Sequence, residues 1–333
     1  MNIPAFALID NVLKNIETNS KGQWNYKANM PIGRLRLTCS AVNNKIYCFG
    51  GTSNADDNAP VYVDQCAEYD PLTDTWSTKA SHPTSKRARM TTSVVNGKVY
   101  CIGGTINNAT TSIVEEYNPS TNTWSTKATA PFTVGDAVSG AINNKIYVAC
   151  MSSNVGEYDP LTNTWATKAS TGYSRSLSSG DVVNNKLYFI GGVSFGGNNN
   201  QEYDPTTNTW STKANMPIAL WALTCSAVNN KIYCFGGQPV GMPSYMENDY
   251  SIVEEYNPAN NTWDSNKTKM LDNRVFLTSS IANNKIYCFG GTNKTSSPTY
   301  VFNTVLEFNP EDNYVLTLDS LNKLKTAKSL LVI

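Results

Sequence analysis

Histidine is nearly missing from this chain of 333 residues: there is one, beside 26 Lys+Arg and 26 Asp+Glu, with a formal net charge of +0 and 16% charged residues. One imidazole excludes a Ser-His-Asp hydrolase with a histidine to spare, His-rich zinc sites and multi-His copper or iron centres. A balanced, sparsely charged surface gives no electrostatic ground for nucleic acid or an anionic membrane as partner. No apolar run approaches the roughly 20 residues of a membrane-spanning helix. The amino terminus lacks a basic start, a long apolar stretch and a small-residue cleavage site, so no signal peptide is expected. A Gly-rich phosphate loop leading from strand to helix, a Cys-x-x-Cys pair and a calcium-loop pattern are all missing. Eight cysteines are present, but a chain of this size does not need disulfide staples, and they read as reduced thiols of a cytoplasmic protein. No metal, cofactor or catalytic set is expected.

What the chain does have is a repeat. A Gly-Gly pair closes a β-rich run at Gly50-Gly51, Gly103-Gly104, Gly191-Gly192, Gly236-Gly237 and Gly290-Gly291, and Ala149-Cys150 is read as the same place in a sixth copy. An aromatic-Asx-Pro triplet follows each, beginning at Tyr69, Tyr117, Tyr158, Tyr203, Tyr256 and Phe308. Tryptophans come next at Trp76, Trp124, Trp165, Trp210 and Trp263, with Tyr314 in the last copy and Trp24 ahead of the first. Segments such as NNKIYCFGG are β-rich after a two-residue Asn-Asn turn, the dipeptide that favours the left-handed backbone of a tight hairpin. The Pro-x-Thr-Asx-Thr-Trp stretch reads as a second turn, with Pro presetting φ and Asx bonding its own backbone.

Gly-Gly, then Tyr-Asp-Pro, then Trp resembles the kelch repeat, over about residues 23 to 333. The resemblance implies an all-β fold: a six-bladed kelch-type β-propeller with four antiparallel strands per blade, a to d. Residues 1–22 are read as an N-terminal extension, a short amphipathic helix over 4–17 or a linker, and 23–333 as one propeller domain. Ring closure is ambiguous, because the chain holds seven d-to-a units and six b-to-c units. Either the Trp24 strand or the Tyr314 strand completes blade six.

Spacing locates the variable face. From each Trp to the next Gly-Gly place there are 25 to 27 residues, whereas from Gly-Gly to the next Tyr or Phe there are 9 to 20. The freedom lies in the b-to-c loops, which emerge on the same face as the d-to-a crossovers, and variable loops on a fixed scaffold are where binding resides. Two segments beginning at Met30 and Met216 are nearly identical, differing only at Gly33-Arg34-Leu35-Arg36 against Ala219-Leu220-Trp221-Ala222, in a crossover on that face.

Candidate binding residues follow. Sixteen residues before each Gly-Gly place stand Arg34, Arg87, Thr133, Arg175, Leu220 and Arg274. Four guanidiniums near one mouth would offer planar donor forks to a carboxylate or phosphate. In kelch domains that recruit acidic peptides such arginines serve this way, and the resemblance implies it here; the alternative is a repeat residue bracing neighbouring blades. Arg36 and Arg89, two residues further on, stand off the repeat pattern. Trp221, Tyr173, Phe276 and Tyr245 fall in face segments and are of the types that dominate binding hot spots. Cys39 is placed opposite Cys48 and Cys225 opposite Cys234, all read as buried free thiols; His82 and the pairs Asp56-Asp57 and Glu311-Asp312 are read as solvated.

The leading expectation is a non-catalytic interaction module that binds a protein or peptide, by the resemblance an acidic one. The alternative is a carbohydrate-binding or sugar-acting protein similar to the kelch sialate mutarotases, with His82, Asp136 or Glu247 for proton transfer. A copper oxidase is disfavoured by the histidine count, and a nitrile-directing kelch protein by the lack of a Glu-x-x-x-Asp-x-x-x-His motif.

Overall fold

The computed structural model describes residues 22–84, 86–193, 196–241, 250–293 and 300–311. The expected helix over 4–17, Tyr245, Glu247 and the segment from Tyr314 onward lie outside them. Among the described residues there are six four-stranded antiparallel sheets and no helix. Blade one is Thr38–Val42, Lys45–Phe49, Cys66–Asp70 and Thr75–Lys79, in the order a, b, c, d. The other blades repeat this order.

Each a-to-b hairpin turns on two residues of positive φ, such as Asn43 and Asn44 at 51° and 60°. That is the two-residue turn whose twist matches paired strands, and Asn bears the left-handed conformation more readily than most residues. Strands b and c are buried nearly throughout, while strand d alternates between exposed and half-buried. The a strands stand side by side around a central channel.

The repeat residues tie each blade to the one before it. In blade one the Asp74 carboxylate accepts the Tyr69 hydroxyl at 2.6 Å and the Ala28 N–H at 2.9 Å. Trp76 donates its indole N–H to the Ala28 carbonyl at 2.9 Å. Asn122 with Trp124, Asn163 with Trp165, Asn208 with Trp210 and Asn261 with Trp263 repeat the arrangement. The motif is thus a staple between blades, which buries its backbone groups with partners.

Trp24 closes the ring. Its strand, Gln23–Lys27, pairs with Val305–Asn309 as strand d of blade six, setting Trp24 opposite Phe308 as Trp76 lies opposite Tyr69. The Trp24 indole donates to Thr268 O at 2.9 Å. The first strand of the fold therefore completes the last sheet, and no open edge is left between blades six and one.

Glycine is required where blades approach. A Cβ on Gly50, at φ +58°, would lie 2.2 Å from the Arg87 carbonyl oxygen of the next blade, and the Gly51 N–H donates to that same oxygen at 2.9 Å. Blade three corrects the sequence reading by one residue. Ala149 pairs with Val138 as Phe49 pairs with Thr38, so Cys150-Met151 occupies the Gly-Gly place and Val134, rather than Thr133, the arginine place. There the short b-to-c connection folds back at once, Cys150 N–H to Asn154 O at 2.9 Å, which alters the spacing.

Candidate binding site at the channel mouth

The four repeat arginines are not at the surface. Arg34, Arg87, Arg175 and Arg274 are at most 1% exposed. Arg34 donates to the Gly50 and Gln65 carbonyls at 3.2 and 3.1 Å, and Arg274 to the Gly290 and Thr304 carbonyls at 3.1 and 2.9 Å. Arg87 and Arg175 hold equivalent carbonyls at Gly103 and Asn199. Each guanidinium therefore braces the b-to-c connection of its own blade from inside, rather than a neighbouring blade. Burial pushes Arg34 and Arg175 down to about 10. None of the four lines the channel or the two mouth cavities, so the expected cationic ring of four is not formed there.

Two residues further along the chain a ring does form. Arg36, Arg89, Asp136, Leu177, Ala222 and Phe276, one from each blade, all have left-handed backbone with φ between 47° and 58°. Their backbones join head to tail: Arg89 N–H to Arg36 O, Arg36 to Phe276, Phe276 to Ala222 and Ala222 to Leu177 at 2.8 to 2.9 Å, with Asp136 to Arg89 at 3.3 Å. Non-glycine residues in this conformation cost about 1 kcal/mol or more each, and they persist where surrounding structure over-determines them, commonly at functional sites.

The side chains of this ring form the mouth. Arg36 pairs with Asp57 of the blade-one b-to-c loop at 2.5 Å and lies over the Phe276 ring at 4.5 Å. Arg89 pairs with Asp136 at 2.7 Å. Burial pushes the Asp136 carboxyl up, against the opposing pull of Arg89. Trp221 meets Phe276 edge-on at 5.8 Å between ring centres. A cavity of about 460 Å³ opens beside Arg36, Arg89, Asp57 and Asp136, with Asn108 and Met151 in its wall. Below the ring lies the channel, about 360 Å³, lined mainly by small and hydroxyl side chains of the six a strands.

Of the ten predicted residues, the structure thus brings Arg36, Arg89, Trp221 and Phe276 together. Tyr173 is half-buried on the blade-four crossover, its ring 5.3 Å from the Arg175 guanidinium. Sequence reasoning missed the ring as a unit, and the one-residue slip in blade three moved Asp136 out of the column that holds Arg36 and Arg89.

Two further readings are corrected. His82 is buried: its Nδ1 lies 3.1 Å from Glu115, which also accepts from Thr84 and Arg87. Burial lowers the His82 pKa more than Glu115 raises it. Burial also lifts Glu115, yet the bonds from His82, Thr84 and Arg87 outweigh it and hold the carboxyl at about 2. Cys39 and Cys48 are opposite each other as expected but joined in a disulfide, and the described free thiols are six, all buried.

Comparison with known families decides the assignment. The Attractin/LZTR1 β-propeller model matches residues 7–202, and the kelch motif model matches residues 222–265. The chain belongs to the kelch-repeat β-propeller family. Among curated relatives, this kelch propeller is 36% identical over 100 residues to Kelch-like protein 24 of Rattus norvegicus, covering 29% of this chain and 14% of that protein. It is 37% identical over 87 residues to human Kelch repeat and BTB domain-containing protein 12, 24% of this chain and 14% of the relative. It is 29% identical over 102 residues to N-acetylneuraminate epimerase of Escherichia coli O157:H7, 30% and 28% of the two chains. The chain thus matches only a minor part of the length of these three curated relatives. The solved structure of YjhT has the same fold, with a TM-score of 0.68 and 18% identity over 84% of this chain and 95% of that one. No helix among the described residues is long and apolar enough to cross a membrane.

Proposed function

We propose that this kelch propeller is a non-catalytic interaction module that seats a protein or peptide segment on the face of the b-to-c loops and d-to-a crossovers. The observation that carries the reading is the mouth ring: six residues share one backbone conformation while their side chains are Arg, Arg, Asp, Leu, Ala and Phe. A fixed backbone with divergent side chains is the arrangement of a recognition surface. Arginine beside Phe276 and Trp221 supplies the residue types on which hot spots are built. An acidic ligand group suits Arg36 in particular, because its present partner Asp57 is 59% exposed and therefore displaceable, whereas Asp136 is 13% exposed and fixed against Arg89. The module is placed in the cytoplasm, where buried thiols stay reduced and disulfides are commonly redox-responsive.

A small sugar acid is the second reading, favoured by the match to N-acetylneuraminate epimerase and by a mouth cavity of about 460 Å³ holding two guanidiniums. Pull-down from lysate of the source cells, with the intact chain and with Arg36→Ala and Trp221→Ala variants shown to melt as the parent does, tests both. A protein retained by the intact chain and lost at least about tenfold by both variants supports the module, since a hot-spot truncation costs about 1.4 kcal/mol or more. No such protein, together with saturable binding of N-acetylneuraminate, overturns it in favour of the second reading.

A further inference from the structure

Strand a presents three successive side chains at the channel, and the middle one differs among blades: Cys39, Thr92, Ser139, Gly180, Cys225 and Ser279. Where it is a hydroxyl it bridges two hydroxyls of the preceding blade. Thr92 meets Thr38 and Ser40 at 2.7 and 2.9 Å, Ser139 meets Thr91 and Ser93 at 2.6 and 2.9 Å, and Ser279 meets Thr224 and Ser226 at 2.9 and 2.7 Å. The two cysteines depart from this pattern. Each turns to a sulfur in its own blade: Cys39 is bonded to Cys48, and Cys225 lies 2.7 Å from Cys234, its register partner across strands a and b.

Of the cysteines, only Cys39 and Cys225 line the channel, whereas Cys66, Cys101, Cys150 and Cys288 are buried in strands b and c or just beyond. We propose that Cys225 and Cys234 are a redox-active dithiol that a small peroxide, arriving through the channel, converts into a second cross-strand disulfide equivalent to Cys39–Cys48. Cys225 is the entry sulfur. Its thiolate attacks one oxygen of hydrogen peroxide, the O–O bond breaks, and the departing hydroxide takes up the thiol's proton and leaves as water, giving a sulfenic acid. The Cys234 sulfur then attacks the Cys225 sulfur, the S–O bond breaks, and a second water carries away the hydroxyl with the Cys234 proton. Two thiols have lost two electrons and one peroxide has become two waters. Cys234, fully buried in strand b and away from the channel lining, is the resolving rather than the attacking group.

The intact chain is exposed to hydrogen peroxide, denatured, alkylated and mapped by mass spectrometry without reductant. Six cysteines alkylate before peroxide; afterwards Cys225 and Cys234 are expected to be lost together, their peptides joined and lighter by two hydrogens, while the other four remain thiols. Peroxide that leaves both alkylating, or that oxidises Cys66, Cys101, Cys150 and Cys288 at the same rate, overturns the proposal. Two variants fix the direction. Cys234→Ser is expected to accumulate a sulfenic acid on Cys225 that a dimedone-type probe traps, and Cys225→Ser to leave Cys234 unreactive. Equal reactivity of the lone cysteine in the two variants overturns entry through the channel. Serine stands at this place in blades three and six, so Cys225→Ser is expected to fold.

Discussion

Blades one and five are one design carried out twice, with different ends. Over residues 30–51 and 216–237 they differ at four adjacent positions, and their a and b strands pair in the same register, Thr38 with Phe49 and Thr224 with Phe235. Both carry a cysteine pair across those strands. The four differences fall where the crossover meets its surroundings. A Cβ on Gly33 would lie 2.8 Å from the Val301 carbonyl, so blade one needs glycine there; blade five has Ala219, and the chain it meets supplies Gly197 instead. Arg34 reaches two carbonyls where Leu220 packs among Met216, Leu223 and Ile232. Arg36 puts a charge at the mouth where Ala222 puts a methyl group. Strands a and b are identical in the two blades, and the divergence is confined to the crossovers, which carry the chemistry of the mouth.

The comparison breaks first, and hardest, at the shared glycines. In Gly50→Ala the new Cβ meets the Arg87 carbonyl oxygen at 2.2 Å, and in Gly236→Ala the Arg274 carbonyl oxygen at 2.4 Å, both at positive φ. Left-handed strain and the displacement of a neighbouring backbone together cost about 4 kcal/mol in each blade. Denaturant midpoints are expected to fall by similar amounts for the two variants. A silent substitution in either blade would show that the blades do not share this contact.

A smaller effect separates them. Arg34→Ala removes the donor to Gly50 O and Gln65 O and leaves a cavity, at a cost of about 3 kcal/mol. Arg34→Leu is expected to recover at least half of that loss in urea unfolding, because blade five shows that leucine fits the place. If leucine is as damaging as alanine, the bracing bonds alone matter.

Acid sharpens what the blades share. Glu68 and Glu255 are buried in equivalent c strands; burial raises each carboxyl, but bonds from Lys79, Tyr47 and Lys45, and from Lys231 and Lys267, hold both below the usual range. A carboxyl whose pKa is lower when folded binds more protons when unfolded, so its stabilisation is complete above about pH 4.5 and is lost as pH falls through the folded value. Thermal melting is expected to fall below pH 4.5, in a range separate from the change between pH 7 and 5 that His82, its pKa lowered by burial, contributes. Glu68→Gln and Glu255→Gln should each lessen that fall by the same amount; a decline confined to one variant would mark the two networks as different.

Much of this was legible before the structure because the repeat residues act locally. Gly-Gly, Asn-Asn and the Asx before Thr-Trp mark backbone conformations, and those are properties of a few consecutive residues. Ring closure was not legible, since Trp24 and Tyr314 stand at equivalent places in the sequence pattern; the pairing of the Trp24 strand with Phe308 is what assigns strand d of blade six. The arginine column was visible but its burial was not, because its carbonyl partners lie 16 residues or more away along the chain. The left-handed backbone of the mouth ring gave almost no signal: Arg, Leu, Ala and Phe are not turn formers, only Asp136 is of a type that takes this conformation readily, and tertiary hydrogen bonds join these residues. Cys39 and Cys48 were placed opposite each other correctly, but register fixes proximity and not oxidation state.

The smallest expected change in stability is the one that most directly separates fold from function. Arg36→Ala gives blade one the residue blade five already has, at a position where Ala222 adopts φ 56° just as Arg36 does. It removes a pair with a largely exposed Asp57 and a contact over Phe276, together worth about 2 kcal/mol. The converse, Ala222→Arg, adds a guanidinium in blade five at a place only 4% exposed and with no Asp57 beside it, and is expected to lower the melting transition more than Arg36→Ala does. If the mouth ring is the recognition surface, the two substitutions must also diverge in binding: retention of the partner falls about tenfold or more in Arg36→Ala, and Ala222→Arg with Arg36→Ala does not restore it, because the guanidinium then sits in the wrong blade. Restoration by the double variant would mean that only net charge at the mouth is read, and the position-specific ring would lose its support.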